Sequence, residues 1–501
     1  MNSDFFVILP LLLPLIFAVI HIFLTKYKMF ASVFNIFGAT LLLIYSIVLL
    51  TNVYYDGIQI LNIGNWPSPY GIPFVTDMLS AIMVLVSSII FFVISIFVLS
   101  SIDETRINAG FFVFMNFMIA GIHGSFLTGD IFNLFVWFEV MLLSSFVMLS
   151  LGAEKFQLEG SMKYVIINII SSLLFLIAIG LLYGVSGTLN MAELNQRLSQ
   201  SPNQNIFNII AVLFIISLGI KSALFPFYNW LPASYHTPPI AVTALFAALM
   251  TKTGVYALIR IFTLIFTYDA EFLRTIIQIL AYCSVIIGGL GAISQNDIRK
   301  ILSFSIIAQV GFLLIGFSLY SVTSLTASVF MMVHVIFSKT ALFLIAALLF
   351  VRYNSYNLND CGSGFKYLKL LSVLFLISGG ALASVPPLSG FWAKFLLILA
   401  GFQKPDIIAV LVIIVGSLLT LIYILRIWNK IFLRKIPYET DLTVDAIKFT
   451  AFEKFYMYLP VFIILLLLLY FSFYPYLLYT LSYKAAEQLM NPDLYINSII
   501  R

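Results

Sequence analysis

Apolar runs long enough to cross a bilayer recur along almost the whole of this chain, and no other property constrains its fold so tightly. The hydrocarbon core of a membrane is about 30 Å thick, so a spanning helix needs about 20 apolar residues in a row. Such runs, separated by short polar, glycine or proline breaks, lie near 5–24, 30–51, 76–99, 109–127, 130–151, 162–185, 207–230, 238–264, 273–294, 301–319, 322–350, 369–400, 406–432 and 456–482. They predict an all-α, polytopic integral membrane protein with about 14 transmembrane helices. The runs at 322–350 and 369–400 are too long for one straight span each, which predicts bent or interrupted helices there.

Composition closes off the alternatives. Of 501 residues, 9% are charged and 62% are hydrophobic, against about 25% charged in a soluble domain. That charge cannot dress a water-facing surface, which excludes a soluble enzyme, a disordered chain, a coiled coil and a nucleic-acid binder. No small-residue cleavage site follows the first run, which reads as a retained span rather than a signal peptide. Cys283 and Cys361 are too few for a disulfide framework or an iron–sulfur cluster. No metal, nucleotide or nucleophile constellation stands out, and no cofactor is expected.

Basic residues in short loops set the orientation. One set of alternate loops, with the span ends beside it, carries sixteen of them, Lys26, Arg106, Lys155, Arg299, Lys300 and Arg434 among these. The other set, with its span ends and both termini, carries only Arg197, Arg260, Arg274, Lys404, Lys484 and Arg501. The first set is therefore expected in the cytoplasm and both termini outside. The mixed-sign stretch 429–455 reads as an amphipathic cytoplasmic segment.

Four lysines remain, and all fall inside predicted spans: Lys221, Lys252, Lys339 and Lys394. Glu139 lies in the middle of the fifth span and His334 in the eleventh. Each ionisable group at a helix centre costs about 2.5–3.5 kcal/mol on insertion scales. A structural ion pair with snorkelling lysines is one account of them. The other is a proton relay, since burial disfavours a charged amine and a nearby carboxylate favours it, so that a proton can be loaded and released. Ser217, Tyr256, Ser305 and Gln309 are placed to hold water between such sites. Asp77 and Asp130 stand at helix starts and read as N-caps. His21 and His123 read as packing residues, and His236 as a histidine in a cytoplasmic turn.

Helix breakers accompany the lysines. Pro226 follows Lys221, and Pro386, Pro387 and Gly390 precede Lys394. Interrupted helices in corresponding positions of two halves mark inverted repeats. The seventh and twelfth spans are each the fourth of a five-helix block, and an odd number of helices turns the second copy over. The expected organisation is three N-terminal helices in 1–107, a first five-helix repeat in 108–266, a second inverted one in 267–434, and the amphipathic segment with the last helix in 435–501.

Taken together, Glu139, Lys221-Ser-Ala-Leu-Phe-Pro-Phe-Tyr-Asn-Trp-Leu-Pro232, Lys252, His334 with Lys339, and Pro386-Pro-Leu-Ser-Gly-Phe-Trp-Ala-Lys394 resemble a known family. It comprises the antiporter-like subunits shared by respiratory NADH:quinone oxidoreductase (complex I) and the multisubunit Mrp cation/proton antiporters. The resemblance covers about residues 70–430. Thr128-Gly-Asp-Ile-Phe-Asn-Leu-Phe-Val-Trp-Phe-Glu139 and Leu231-Pro-Ala-Ser-Tyr-His-Thr-Pro-Pro239 are most similar to the Mrp branch, and within it to the D-type members.

What the resemblance implies is a secondary transporter rather than an enzyme. It would be one proton-translocating component of a hetero-oligomer that exchanges sodium, or another monovalent cation, for protons across a bacterial cell membrane. Glu139 and Lys221 match the pair that gates proton uptake, Lys252 the central relay position and Lys394 the distal one, with His334 and Lys339 on the same line. The alternative is a proton-pumping subunit of NADH:quinone oxidoreductase, itself without a redox centre. Membrane carboxylates are few here, so sodium is expected to cross in another subunit.

Overall fold

The computed structural model describes residues 5–68, 70–200, 204–267, 270–435 and 450–500. The segment 436–449, most of the expected amphipathic stretch, lies outside the described residues. The membrane helices are α1 (Phe5–Leu24), α2 (Lys28–Asp56), α3 (Met78–Ser101), α4 (Phe111–Leu127), α5 (Ile131–Ser150), α6 (Lys155–Ser186), α7 (Gln204–Ser222) and α8 (Ile240–Leu264). The second half continues with α9 (Ala270–Ser294), α10 (Ile298–Ser318), α11 (Val322–Tyr353), α12 (Lys369–Leu382), α13 (Ser389–Gln403), α14 (Ile407–Trp428) and α15 (Ala451–Phe473). Two C-terminal helices, α16 (Pro475–Met490) and α17 (Pro492–Ile499), close the chain.

Local chemistry sets the helix starts. Asp77 caps α3 in a reciprocal capping box with Ser80, and Ser321 does the same for α11 with Ser324. Asp130 accepts from the Asn133 amide at 2.7 Å at the start of α5, and Asp406 from the Ala409 amide at 2.9 Å at the start of α14. The expected N-cap roles of Asp77 and Asp130 are thus seen directly. His21 and His123 bind backbone carbonyls of Phe17 and Pro10, the latter across to α1.

Burial sorts the bundle. Every residue of α8 is buried, and α10 and α11 are nearly so. By contrast α1, α2, α6 and α14 turn large apolar side chains outward, Phe23, Phe37, Leu173 and Leu418 among them. Helices exposed to lipid gain nothing from polar residues, whereas central helices can pair them. The most deeply buried helices, α8 and α11, nonetheless carry Lys252, His334 and Lys339.

The two halves share construction details. An isolated bridge joins Asp130 to Asn190, and another joins Asp297 to Asn357, 60 residues apart in each case. The flanking backbone bonds match as well: Ile131 N to Leu189 O and Ile298 N to Tyr356 O, both 3.0 Å. After α7 the chain passes through Ala223 at φ 58 and a cis peptide at Phe225–Pro226; after α12 it passes through Ser384 at φ 64 and a cis peptide at Pro386–Pro387.

Three differences from the sequence expectation have physical causes. The run 322–350 is not interrupted but forms one helix, α11, of 32 residues, about 48 Å of chain at 1.5 Å per residue. It holds no internal proline or glycine to interrupt it, whereas 369–400 is broken into α12 and α13 at its proline pair. The last run, read as continuous to 482, ends at Phe473, because Pro475 has no amide to continue the ladder and instead starts α16. A small antiparallel hairpin, β1 (Gln59–Asn62) with β2 (Pro73–Thr76), joins α2 to α3; its four-residue strands are too short to show a period of two.

Candidate functional site

The seventh helix has to stop where its lysine is. After Ser222 the backbone unwinds toward Pro226, and its freed groups find side-chain partners. The Trp230 indole donates to the Ile220 carbonyl at 3.0 Å, and the Phe225 amide donates to Ser284 Oγ at 2.8 Å. This is how an irregular backbone survives at membrane depth. Gly254 on α8 lets the break come close, since a Cβ there would lie 2.8 Å from the Ser222 nitrogen. Lys221 and Lys252 thereby stand on two backbones in contact.

Lys221 and Glu139 do not touch; Ser172 of α6 joins them. The Lys221 ammonium donates to Ser172 Oγ at 3.0 Å, and the Ser172 hydroxyl donates in turn to a Glu139 carboxylate oxygen. Glu139 is half-buried and Lys221 is buried. The Lys221 nitrogen also lies 5.1 Å from the Phe138 ring centre. It borders a small cavity with Tyr164, Asn168 and Trp230. The arrangement is an acid, a hydroxyl and an amine in series. Ser172 was not singled out by the sequence, where it is one of two adjacent serines in an apolar run.

The other three buried lysines, Lys252, Lys339 and Lys394, have no acidic partner within ion-pair distance among the described residues. Lys252 donates to the Ala247 carbonyl of its own helix at 2.6 Å. Lys339 donates to Ser305 Oγ on α10, and Ser305 itself donates to the Leu302 carbonyl at 2.7 Å. Lys394 finds no hydrogen-bond partner among the described residues and sits 4.5 Å from the Phe312 ring centre. Lys339 lies within electrostatic reach of both Lys252 and Lys394.

His334 belongs to the break beside Lys394. Its Nδ1 pairs with Ser389 Oγ at 2.9 Å, while Nε2 is unpartnered among the described residues. The Ser389 amide donates to Ser472 Oγ of α15 at 2.8 Å, and the Trp392 indole to the Ser472 carbonyl at 3.0 Å, which satisfies the start of α13. Gly390 is forced by packing: a Cβ there would run into the Ala381 carbonyl and lie 2.8 Å from His334 Nε2.

Of the polar residues expected to hold water, Gln309 has both amide atoms unpartnered among the described residues, as has the Ser217 hydroxyl. Tyr423, not foreseen, brings its phenol toward Ser305, Gln309 and Thr420. Tyr256 instead donates to the Phe126 carbonyl at 2.6 Å. His236 sits in its turn, half-buried, where burial first and then the Lys300 charge hold its pKa below 6.5. Asp130, between α4 and α5, has its carboxyl pushed up by burial.

Arg260 departs from the sequence expectation. Expected at an outer span end that faces water, it lies within α8 at 5% exposure, paired at 2.6 Å with Asp77, which is 2% exposed. An arginine near the end of an apolar run ordinarily reaches the interface, but here α16 and α17 fold over that end.

Comparison with known proteins agrees with this architecture. The family described as "NADH:quinone oxidoreductase/Mrp antiporter, TM" matches residues 128–420. The D subunit of the Na+/H+ antiporter of Alkalihalophilus pseudofirmus is 39% identical over 495 residues, covering 99% of both chains. That of Bacillus subtilis is 36% identical over 499 residues, again with 99% of both chains covered. Among solved structures, a chain of the Mrp complex from Dietzia sp. DQ12-45-1b superposes with a TM-score of 0.92 over the whole of both chains, at 28% identity.

Proposed function

We propose a function from one established premise: this chain belongs to the NADH:quinone oxidoreductase/Mrp antiporter transmembrane family, and its full-length relatives are the D subunits of Na+/H+ antiporters. The chain is a proton-translocating component of a multisubunit Na+/H+ antiporter, assembled with other membrane subunits in a bacterial cell membrane. It works as part of a secondary transporter. Sodium leaves the cytoplasm as protons enter, driven by the proton motive force.

The observation that carries the reading is the Glu139–Ser172–Lys221 series, beside which Lys252, Lys339 and Lys394 are buried in the same bundle. Glu139 receives a proton and passes it through Ser172 to Lys221. Lys252, Lys339 and Lys394 carry it onward, and His334 holds the α12–α13 break through Ser389. The shared Asp130–Asn190 and Asp297–Asn357 bridges and the two matching breaks support a division into inverted repeats at 108–266 and 267–434, after three helices in 1–107. The distribution of loop lysines and arginines supports termini outside.

Everted membrane vesicles holding the whole complex test this. Glu139→Ala or Lys221→Ala is expected to abolish the sodium-dependent collapse of a pH gradient. Unaltered exchange in either variant, with the complex assembled, would sink the proposal.

A further inference from the structure

We propose that Arg426, Lys430 and Arg434, at the end of α14, bind the head group of an anionic phospholipid. In the proposed orientation that end faces the cytoplasm, so the lipid belongs to the inner leaflet. Nothing else in the proposal rests on the transport reading.

The three cations recur every four residues where α14 runs into the wider π-helical turn Asn429–Leu433, which sets them on one side of the helix. Each is half-buried. Their hydrogen bonds go to neutral acceptors on two neighbouring loops. Arg426 donates to the Gln295 carbonyl at 2.9 Å and to Asn296 Oδ1 at 2.8 Å. Lys430 donates to the same Asn296 oxygen at 3.2 Å and to Asn359 Oδ1 at 2.8 Å. Arg434 donates to the Asn359 carbonyl at 2.5 Å and the Cys361 carbonyl at 3.2 Å. The cluster is a clasp that ties α14 to the loops after α9 and α11.

What the clasp lacks is negative charge. None of its three cations has a carboxylate within ion-pair distance among the described residues. Arg106 and Arg299, half-buried on the same face, are both paired: Arg106 with Glu154 at 3.0 Å and Arg299 with Asp297 at 2.9 Å. Asp360, on the loop that Arg434 grips, accepts from the Ser355 hydroxyl at 2.7 Å instead. Lys430 lies within electrostatic reach of both Arg426 and Arg434, so it stands between two like charges. Lys366 and Lys369, both exposed, come to the same corner, because the Ser363 amide donates to the Arg434 carbonyl at 2.7 Å.

The surroundings say where the anion comes from. Trp428 lies between Arg426 and Lys430 in the chain, its ring centre 6.4 Å from that of Phe365 and 6.3 Å from that of Phe375. Tryptophan at the end of a span sits at head-group level. Ile422, Leu425 and Leu433 of the same stretch turn outward, as does Phe365. The cations and an outward apolar face thus meet at one edge, and a phosphodiester carrying acyl chains satisfies both. Basic sites at the cytoplasmic ends of membrane helices take anionic head groups in this way. A zwitterionic lipid brings its own ammonium and would leave the excess charge in place. Bound there, an anionic lipid neutralises the clasp.

The test uses the whole complex, purified, delipidated and titrated with phosphatidylglycerol, with phosphatidylcholine, or with phosphatidylglycerol against inorganic phosphate at matched ionic strength. Bound lipid is counted by native mass spectrometry. Each unit charge near the surface contributes about fivefold in binding. Lys430→Glu, a change of two charges, is therefore expected to weaken one phosphatidylglycerol about 25-fold, and Lys430→Arg to leave it unchanged. Phosphatidylcholine is expected to bind alike in all three proteins, and inorganic phosphate not to displace the lipid. Wild-type affinity for every phosphatidylglycerol in Lys430→Glu overturns the proposal, as does a wild-type complex that prefers phosphatidylglycerol no more than phosphatidylcholine. Displacement by inorganic phosphate overturns it in favour of a soluble anion. Loss of partner subunits from Lys430→Glu overturns it in favour of an acidic neighbouring subunit. Transport is read in none of these arms, so the relay reading can fail without touching the result.

Discussion

Removing one hydroxyl should cut the proposed relay between Glu139 and Lys221. Ser172 both donates to Glu139 and accepts from Lys221 at 3.0 Å, and at 5% exposure it has little access to water that could replace it. Hydrogen bonds to charged groups contribute about 1.5–3 kcal/mol each. If the step between Glu139 and Lys221 loses one such bond in its transition state, the rate falls about ten- to a hundredfold, since each 1.36 kcal/mol is tenfold. Ser172→Ala in everted vesicles, read as the initial rate of sodium-dependent pH-gradient collapse, is expected to show that loss at wild-type complex abundance. Ser172→Thr keeps a hydroxyl on the same carbon and is expected to remain close to wild type. Full-rate exchange in Ser172→Ala would refute the bridge, because Glu139 and Lys221 would then communicate without it.

Two further outcomes follow from local packing and charge. Gly390→Ala pushes a methyl group into the Ala381 carbonyl and against His334; overpacking of this kind costs about 1–3 kcal/mol, so the solubilised complex should melt at a lower temperature, and an unchanged melting point counts against the forced contact. His236 is held neutral by burial and then by Lys300, with its pKa below 6.5; the unfolded chain takes up the proton first on acidification, so this residue's contribution to stability is intact above about 6.5 and is lost as pH falls from there through the folded value. His236→Gln should flatten that part of the melting profile between about pH 5 and 7, and an identical profile in both proteins would exclude it.

The sequence shows the bundle and its charged residues because both depend on simple contrasts. A run of apolar residues is long or short, and a lysine inside it is conspicuous against 9% charge. Pro226 and the pair Pro386 and Pro387 expose the breaks for the same reason: proline removes an amide wherever it stands. Ser172 is invisible by comparison. Serines in apolar helices usually turn back on their own backbone, as Ser186 does to Leu182 and Ser46 to Leu42. Only the packing of α5, α6 and α7 makes Ser172 a bridge. Arg260 misleads in the opposite direction, since its position near the end of a run fits an interface until α16 and α17 are seen covering it. Their course turns on Pro475, which apolar continuity across residues 456–482 conceals.

In the proposed relay one acid serves four lysines. Glu139 reaches Lys221 through Ser172, while Lys339 lies within electrostatic reach of two other amines and of no acid among its principal charged neighbours. Two like charges about 10 Å apart repel by about 1.7 kcal/mol at an effective dielectric near 20. A relay of this kind is expected to hold fewer protons than it has lysines, and a proton arriving at one end favours release at the other. Each lysine must then be able to give up its proton. Arginine stays charged under all working conditions, so Lys339→Arg keeps the charge and the hydrogen-bonding reach toward Ser305 but cannot pass a proton on. It is expected to be as inactive as Lys339→Met in vesicle exchange, with the complex assembled in both. If Lys339→Arg transports at the wild-type rate, fixed charge is all that this position supplies, and protons do not travel through it.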